Sequence, residues 1–254
     1  MRRSMCSLAV PRLAALVAGA ALLAGSPLRA QDANAAATPA PKAALGEVVP
    51  EHEFRPFLAG GDGRQQLSQF RGQPVLIVNW TDTDFGRGAA QESEKIAKEL
   101  APEGLVTILL DSHNKPEKEI QASVMRLYPG SPARLTQNQN LPIAYLENGP
   151  PPVIALVGVD GTLLVAGSYT VDMNKAIKLL KPELKKAKTG WGEHEAARTA
   201  RALAYGEGSL GAARLALAAA MKAEPNQAEL GLHRAELAAH FEARERAVRW
   251  LLEH

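Results

Sequence analysis

The sequence has almost no cysteine. Of its 254 residues one is a cysteine, Cys6, which lies close to the N-terminus. Disulfide exchange and thiolate catalysis both need a cysteine sulfur, so a chain that loses its N-terminal segment on export can perform neither. Such a chain also forms no disulfide and depends on its hydrophobic core for stability. The sequence therefore excludes thiol chemistry for the mature protein.

The sequence also lacks a strong excess of either charge. It contains 29 Lys and Arg residues against 27 Asp and Glu residues, with a formal net charge of +2. Nucleic-acid-binding domains carry a clear basic surplus on one face, and the total charge here gives no sign of one. We therefore expect no nucleic-acid partner. A content of 46% hydrophobic and 22% charged residues is typical of one or two globular domains.

One long apolar segment is present, Leu8–Leu23, preceded by two arginines and followed by a small residue at Ala30. This pattern predicts a cleaved signal peptide over residues 1–30, because a membrane anchor needs about 20 apolar residues; an uncleaved anchor is the alternative interpretation. Residues 31–45 are rich in Ala and Pro and are predicted to be a disordered linker. We expect a periplasmic or secreted protein with no stable membrane insertion after cleavage.

The middle of the sequence alternates between strand and helix patterns. Continuous apolar runs bounded by turn residues predict buried strands, and apolar residues at helical spacing predict amphipathic helices. The predicted strands are 75–80, 105–111, 153–159 and 163–166, and the predicted helices are 88–100, 116–128 and a segment from about Met173 that breaks or kinks at Pro182. The glycine-rich turn 60–63 is predicted to close a short hairpin, and the Pro- and Asn-rich region before 153 to be a loop.

Two further patterns concern the end of the chain. Lys175, Lys178 and Lys181 are most simply interpreted as the solvated face of their helix, with a docking surface for an acidic partner as the alternative. From Trp191 onward Ala, Leu, Glu and Arg dominate and no strand pattern appears, so residues 189–254 are predicted to form a small all-α module.

Two motifs lie in residues 46–188. The first motif is the segment 63–80, with Gly63, Leu67 and Gly72 leading into the first apolar strand. The second is the segment 152–161, which starts with Pro152 and ends with Asp-Gly. Both resemble the redoxin branch of the thioredoxin-like proteins, the TlpA/ResA-type and peroxiredoxin-like families. The resemblance implies a thioredoxin-like three-layer α/β/α sandwich with a central mixed sheet, followed by the helical module. Five positions of that module, Ala204, Gly208, Ala213, Ala220 and Pro225, resemble a tetratricopeptide hairpin; a generic Ala-rich helical bundle is the alternative interpretation.

The resemblance also implies where an active site would lie. In the family a Cys-x-x-Cys pair occupies the start of the first helix, and in this sequence those positions fall on Asp84 and Arg87. Neither a carboxylate nor a guanidinium forms a mixed disulfide, so the family's redox activities do not transfer. The resemblance implies that the bond before Pro152 is cis and faces this position.

The cleft that remains is a candidate binding groove for an extended protein or peptide partner, held by backbone hydrogen bonds as an added strand. Its predicted residues are Trp80, Thr81, Asp82, Thr83, Phe85, Pro151 and Pro152. Oxygen ligands at alternate positions of Thr81–Asp84 would suit a metal ion, but helix capping explains these residues better. Six histidines without paired spacing predict no zinc site, and we expect no cofactor and no catalytic residue.

Two functions remain open at this point. The first is an exported, redox-inactive thioredoxin-like module that binds or scaffolds a protein or peptide. The second is a redoxin-family thiol-disulfide oxidoreductase or peroxidase-like enzyme, whose chemistry would need a partner's cysteines or a cofactor.

Overall fold

A five-stranded mixed sheet with the strand order β3-β2-β1-β4-β5 lies at the centre of the molecule. It is seen in a computed structural model that describes residues 42–112, 116–127, 130–206 and 208–238. The strands are β1 Val75–Trp80, β2 Val106–Asp111, β3 Arg134–Gln137, β4 Val153–Val157 and β5 Leu163–Ser168. The helices are α1 Asp84–Leu100, α2 Glu117–Leu127, α3 Ala144–Asn148, α4 Tyr169–Thr189, α5 Glu195–Arg201 and α6 Leu210–Ala223, and residues 228–238 are also helical.

The inner strands form as their apolar runs predict. Every residue of β1, β2 and β4 is buried, because both faces of the sheet are covered. Strand β1 pairs in parallel with β2, from Val75 opposite Val106, and antiparallel with β4, with Asn79 opposite Val153. The α/β prediction with a central mixed sheet is therefore confirmed.

The two faces of the sheet carry separate hydrophobic clusters. Residues of α1 and α4, such as Ala90 and Leu180, pack with Val78 on one face. On the other face Phe54 and Phe70, from the segment before β1, pack with Ile77. The sheet is thus the middle layer of three.

The segment before β1 differs from its prediction in two ways. Ala43, inside the predicted linker 31–45, is buried, and its amide donates to the carbonyl of Pro142, so the fold begins before residue 46. The glycine turn 60–63 does not join two regular strands; a single bridge between Glu53 and Gln66 closes a wide loop. The predicted signal peptide, residues 1–30, lies outside the described residues.

Asp62 explains why that loop is ordered. Its carboxylate accepts two hydrogen bonds of 2.7 Å from the guanidinium of Arg134 and another of 2.9 Å from Arg64. Arg134 lies over the ring of Phe70, which covers its charge with apolar surface. Desolvation by itself would raise the pKa of Asp62, but the two arginines outweigh it and hold that pKa well below its usual range.

Three elements differ from their sequence predictions. The predicted loop before 153 contains the strand β3 and the short helix α3. Helix α4 does not end at Pro182 but continues to Thr189, because Leu184 and Ala187 beyond the proline pack against the fold.

Among the described residues no helix has both the length and the apolar character needed to cross a membrane.

The helices after β5 and α4 pack on the α/β part. Trp191 and Val159 share a small cluster that Tyr205 also contacts, and the ring of Tyr205 lies against Gly72. The prediction of helices from residue 191 onward is confirmed for the described residues. The tetratricopeptide resemblance and the division into units 46–188 and 189–254 stay predictions.

Candidate functional site

The strand register brings the predicted site residues to one edge of the sheet. Asn79 lies opposite Val153, and Val153 lies opposite Ser168. The carboxyl end of β1, the amino end of β4 and the carboxyl end of β5 therefore meet at this edge. The segment 81–87 and the prolines before β4 are neighbours there, as the resemblance implies.

The start of α1 is built by a cap and a close approach. Thr83 is the N-cap, and its hydroxyl accepts a hydrogen bond of 3.0 Å from the amide of Gly86. A Cβ at Gly86 would lie 2.0 Å from the carbonyl oxygen of Thr81, so a side chain at position 86 does not fit this backbone. In the polar segment Thr81–Asp84 the structure shows helix capping, by Thr83, in agreement with the interpretation from sequence.

An exposed ion-pair network occupies positions 84 and 87, where the resemblance implies a Cys-x-x-Cys pair. The guanidinium of Arg87 donates to Asp82 at 2.7 Å and to Asp84 at 2.5 Å, and also to the backbone carbonyl of Asp82. The hydrogen bonds to Asp82 and Asp84 raise the pKa of Arg87, so it stays charged. This network contains no thiol, and its cation is already matched by two carboxylates.

The proline loop opposite this helix start has no backbone donor. The bond between Pro151 and Pro152 is cis, at the position implied by the resemblance. Pro150, Pro151 and Pro152 follow one another, and proline has no backbone N–H. The amide of Gly149 is bonded to the carbonyl of Tyr145. Residues 149–152 can therefore accept hydrogen bonds from a bound chain but offer no backbone donor to it.

Three large apolar side chains are exposed at this edge. Phe85 in the first turn of α1 is 54% exposed, Tyr145 in α3 is 41% exposed, and Val171 in the first turn of α4 is 73% exposed. Phe85 follows the carboxyl end of β1, Tyr145 precedes the amino end of β4, and Val171 follows the carboxyl end of β5. The register brings these three strand ends together. We call these three residues with Pro151 the apolar rim.

Two of the predicted groove residues do not contribute contact surface. Trp80 is buried in the cluster beneath α1, and Pro152 is buried as well. Trp80 is the last residue of β1, and its side chain packs in the layer between the sheet and the helices α1 and α4. Thr81, Asp82, Thr83, Phe85 and Pro151 keep partial or full exposure.

Two members of the apolar rim, Tyr145 and Val171, are not among the site residues predicted from the sequence. Val171 had a usable signal, because it lies on the opposite side of α4 from the apolar stripe that includes Met173 and Leu180. Tyr145 had none, since the helix α3 that carries it was not predicted.

A buried tyrosine links the two helices that flank the rim. The hydroxyl of Tyr169, the first residue of α4, donates to Glu92 of α1 at 2.8 Å, and its amide donates to the carbonyl of Pro152 at 3.1 Å. Burial, and then the bond to Glu92, raise the pKa of Tyr169. The contact fixes α1, α4 and the proline loop relative to one another.

The described residues hold no group of three or more His, Asp or Glu side chains with metal-site geometry. His52, His194 and His233 belong to no such group, and His113, His240 and His254 lie outside the described residues. The groups described at this edge are the acceptors of the proline loop, the threonine hydroxyls, the exposed apolar side chains and a cation paired with two carboxylates.

No protein family model matches the chain, and no curated protein matches its sequence. Among solved structures it is similar to an exposed lipoprotein thioredoxin (Etrx1) of Streptococcus pneumoniae strain TIGR4, with 17% identity over 52% of this chain and 99% of that chain and a TM-score of 0.42. It is also similar to a putative thiol:disulfide interchange protein DsbE of Chlorobium tepidum (14% identity, 54% and 97% coverage, TM-score 0.41). A putative thioredoxin of Neisseria meningitidis gives 15% identity, 54% and 89% coverage, and a TM-score of 0.43.

The strand order, the mixed sheet and its flanking helices are those of a thioredoxin-like α/β fold, followed here by further helices. Likenesses with TM-scores of 0.41 to 0.43 carry no argument about what this chain does. Function has to be argued from the residues of the edge itself.

Proposed function

We propose that this chain is an exported, redox-inactive thioredoxin-like protein that binds a protein or peptide partner at the apolar rim. The observation that carries the proposal is the exposure of Phe85, Tyr145 and Val171 at one edge of an otherwise well-packed sheet. Exposed apolar side chains that lie together and are framed by polar groups mark binding surfaces more often than isolated ones do.

The redox inactivity that we propose follows from the lack of cysteine sulfurs at the site. Reduction of a substrate disulfide needs a thiolate to attack and a second sulfur to release the product. Positions 84 and 87 carry a carboxylate and a guanidinium paired with each other, and the described residues contain no cysteine. The site keeps the cleft of a thioredoxin-like fold without a group that exchanges electrons.

The proline loop restricts how a partner is held. Strand addition to a sheet edge alternates donors and acceptors along the chain. Three consecutive prolines remove the donors on this side, so the partner supplies N–H groups and receives none from residues 150–152. Apolar contact with Phe85 and Tyr145 then carries a larger share of the affinity than backbone pairing does.

The expected location comes from the N-terminal sequence. The basic start and the apolar segment Leu8–Leu23 support export to the periplasm or beyond the cell, where the partner would also be found. Separation of cell fractions followed by N-terminal sequencing tests this, and a mature N-terminus at Gln31 is the expected result.

The binding proposal is tested by affinity capture from an extract of exported proteins with two matched double variants. F85S/Y145S removes the two aromatic side chains of the apolar rim, and L215S/L232S removes two apolar residues with exposures of 75% and 59% on the C-terminal helices. We expect the first variant to lose a partner that the wild type and the second variant both retain. Equal capture by all three proteins would contradict the proposal.

The redox part is tested separately by reduction of insulin with dithiothreitol. We expect the mature chain to give the uncatalysed rate, because residues 31–254 contain no cysteine thiol to exchange with a disulfide. Turnover above that of a heat-denatured sample would restore the oxidoreductase hypothesis.

A further inference from the structure

A row of exposed lysines runs along α4 from the apolar rim. Lys175, Lys178, Lys181 and Lys185 are all exposed and are spaced three, three and four residues apart. Residues at such spacing share one face of a helix, and the row spans about 15 Å at 1.5 Å per residue. We call these four residues the lysine row.

The lysine row is not neutralised within the described part of the chain. Two other lysines of the same helix do form ion pairs: Lys186 pairs with Glu183 at 2.5 Å, and Lys188 pairs with Glu103 at 3.3 Å. No described carboxylate forms an ion pair with a member of the lysine row. In a chain with a net charge of only +2, this is a local concentration of unmatched positive charge.

The lysine row is continuous with the apolar rim. Val171 lies four residues before Lys175 on the same face of α4, and the first residue of the helix, Tyr169, is bonded to Pro152. The nearest carboxylate in the first turn, Asp172, is half-buried and packs over Gly167 of β5. A chain that leaves the rim past Val171 therefore meets four lysines in succession.

We propose that the partner bound at the apolar rim is an extended acidic segment of a protein, whose carboxylates pair with the lysine row. Alternate residues of an extended chain lie about 6.6 Å apart, which long lysine side chains at successive helical positions span readily. The proposal rests on the function proposed for the rim and names the chemistry of its partner. Opposite charges at the edge of an interface mainly set specificity and association rate.

An anionic membrane is the less favoured occupant. Helices that bind membranes in the interface carry a broad apolar face for insertion. On α4, Val171 is the one large hydrophobic residue with high exposure, and the helix buries its remaining apolar stripe in the core.

The test uses two fluorescein-labelled synthetic peptides and fluorescence anisotropy at low salt. Both peptides have a central Ile-Phe-Val, flanked in one by alternating Asp and Thr and in the other by alternating Asn and Thr. The variant K178E/K181E/K185E reverses the charge of three of the four residues in the lysine row, and K95E/K118E/K222E reverses three exposed lysines on other elements with the same change in net charge. F85S/Y145S tests the rim itself.

We expect the wild type and the K95E/K118E/K222E variant to bind the Asp peptide about tenfold more tightly than the Asn peptide. The K178E/K181E/K185E variant should lose that preference and keep its affinity for the Asn peptide, whereas F85S/Y145S should weaken both peptides. Equal affinities of the wild type for the two peptides would overturn the acidic-partner inference and leave the rim standing. Failure of the wild type to bind either peptide would overturn both proposals.

Vesicles of phosphatidylglycerol decide between the two occupants. We expect no binding that depends on Lys178, Lys181 and Lys185. Vesicle binding lost in the K178E/K181E/K185E variant, without a preference for the Asp peptide, would assign the lysine row to a membrane surface and overturn the inference.

Discussion

Two arginines in this molecule each pair with two carboxylates. One of these arginines is exposed and the other is buried. Arg87 at the start of α1 pairs with Asp82 and Asp84 in solvent. Arg201 at the end of α5 is buried and pairs with Glu229 at 2.7 Å and Glu236 at 3.2 Å. The chemistry is the same, but the energetic consequences differ because solvent screens only the first network.

The buried network has additional partners. Arg201 donates to the carbonyl of Trp191 at 2.9 Å and lies over its indole ring, and His233, fully buried, contacts Glu236 at 3.0 Å. Arg201 is buried, whereas Glu229 and Glu236 keep 21% and 23% of their side-chain surface exposed, so removal of Arg201 leaves two partly buried carboxylates without their cation. The comparison therefore predicts that the C-terminal helices depend on Arg201, whereas α1 scarcely depends on Arg87.

The largest effect is expected for R201M. This variant leaves Glu229 and Glu236 without their cation, and we expect a loss of about 3–5 kcal/mol in the free energy of unfolding measured with urea. The triple variant R201M/E229Q/E236Q should recover part of the loss, because it buries no unpaired charge. A loss below about 1 kcal/mol in R201M would show that the network is open to solvent.

Two glycines of α1 give the next contrast. G86A places a Cβ against the carbonyl of Thr81 and should cost about 1–3 kcal/mol, because backbone must move. G88A, two residues along, meets no atom within 4 Å and should stabilise the helix by about 0.5–1 kcal/mol. Urea midpoints of the two variants should move in opposite directions, and movement in the same direction would contradict the geometry at Thr81.

Acid should weaken the buried network. Burial favours a higher pKa for Glu236, but the bond from His233 and the charge of Arg201 lower that pKa below its usual value of 4.5. A lowered folded pKa contributes stability above pH 4.5 that is lost as the pH falls toward the folded pKa. The urea concentration at the unfolding midpoint of the wild type should decrease as the pH is lowered below about 5. E236Q should start lower and show a flatter decline, and equal slopes would exclude Glu236 as a source of the acid sensitivity.

A pair of cysteines tests the assignment of the redox positions. D84C/R87C should form a disulfide under oxidising conditions and acquire dithiothreitol-dependent insulin reduction, because a helix N-terminus favours the thiolate. F85C/G88C, shifted by one residue, is the matched control and should show less activity. Higher activity of the control would move the assignment by one position.

The smallest effect is expected for R87A. Its ion pairs lie in solvent, so the urea midpoint should stay close to that of the wild type, and high salt should remove any difference that remains. A midpoint shift as large as that of R201M would contradict the comparison between the two arginines.

The parts of the fold that sequence predicted are those with strong local patterns. The inner strands are continuous apolar runs, and α1 has clear helical spacing, although it starts at Asp84 instead of 88 because Thr83 caps it. Strand β3 has no such pattern. It contains Arg134 and Thr136 at buried positions, and Arg134 is acceptable there because Asp62, 72 residues earlier, neutralises it.

The candidate site was predicted less well in its surface than in its location. The resemblance implied the places of Asp84, Arg87 and the cis bond at Pro152; the cis bond is present, and the register of β1 against β4 brings these segments together. Exposure depends on tertiary packing, which motifs do not report. Trp80 is therefore buried where a groove residue was predicted, and Tyr145 is exposed where a loop was predicted.

The most direct test of the central claim is photo-crosslinking at the apolar rim. Benzoylphenylalanine introduced at Phe85 should give, on irradiation in an extract of exported proteins, a discrete crosslinked species. The same probe at Leu215 should give none, although that position is more exposed, 75% against 54% for Phe85. A crosslinking pattern that is the same at both positions would contradict a binding surface at the rim.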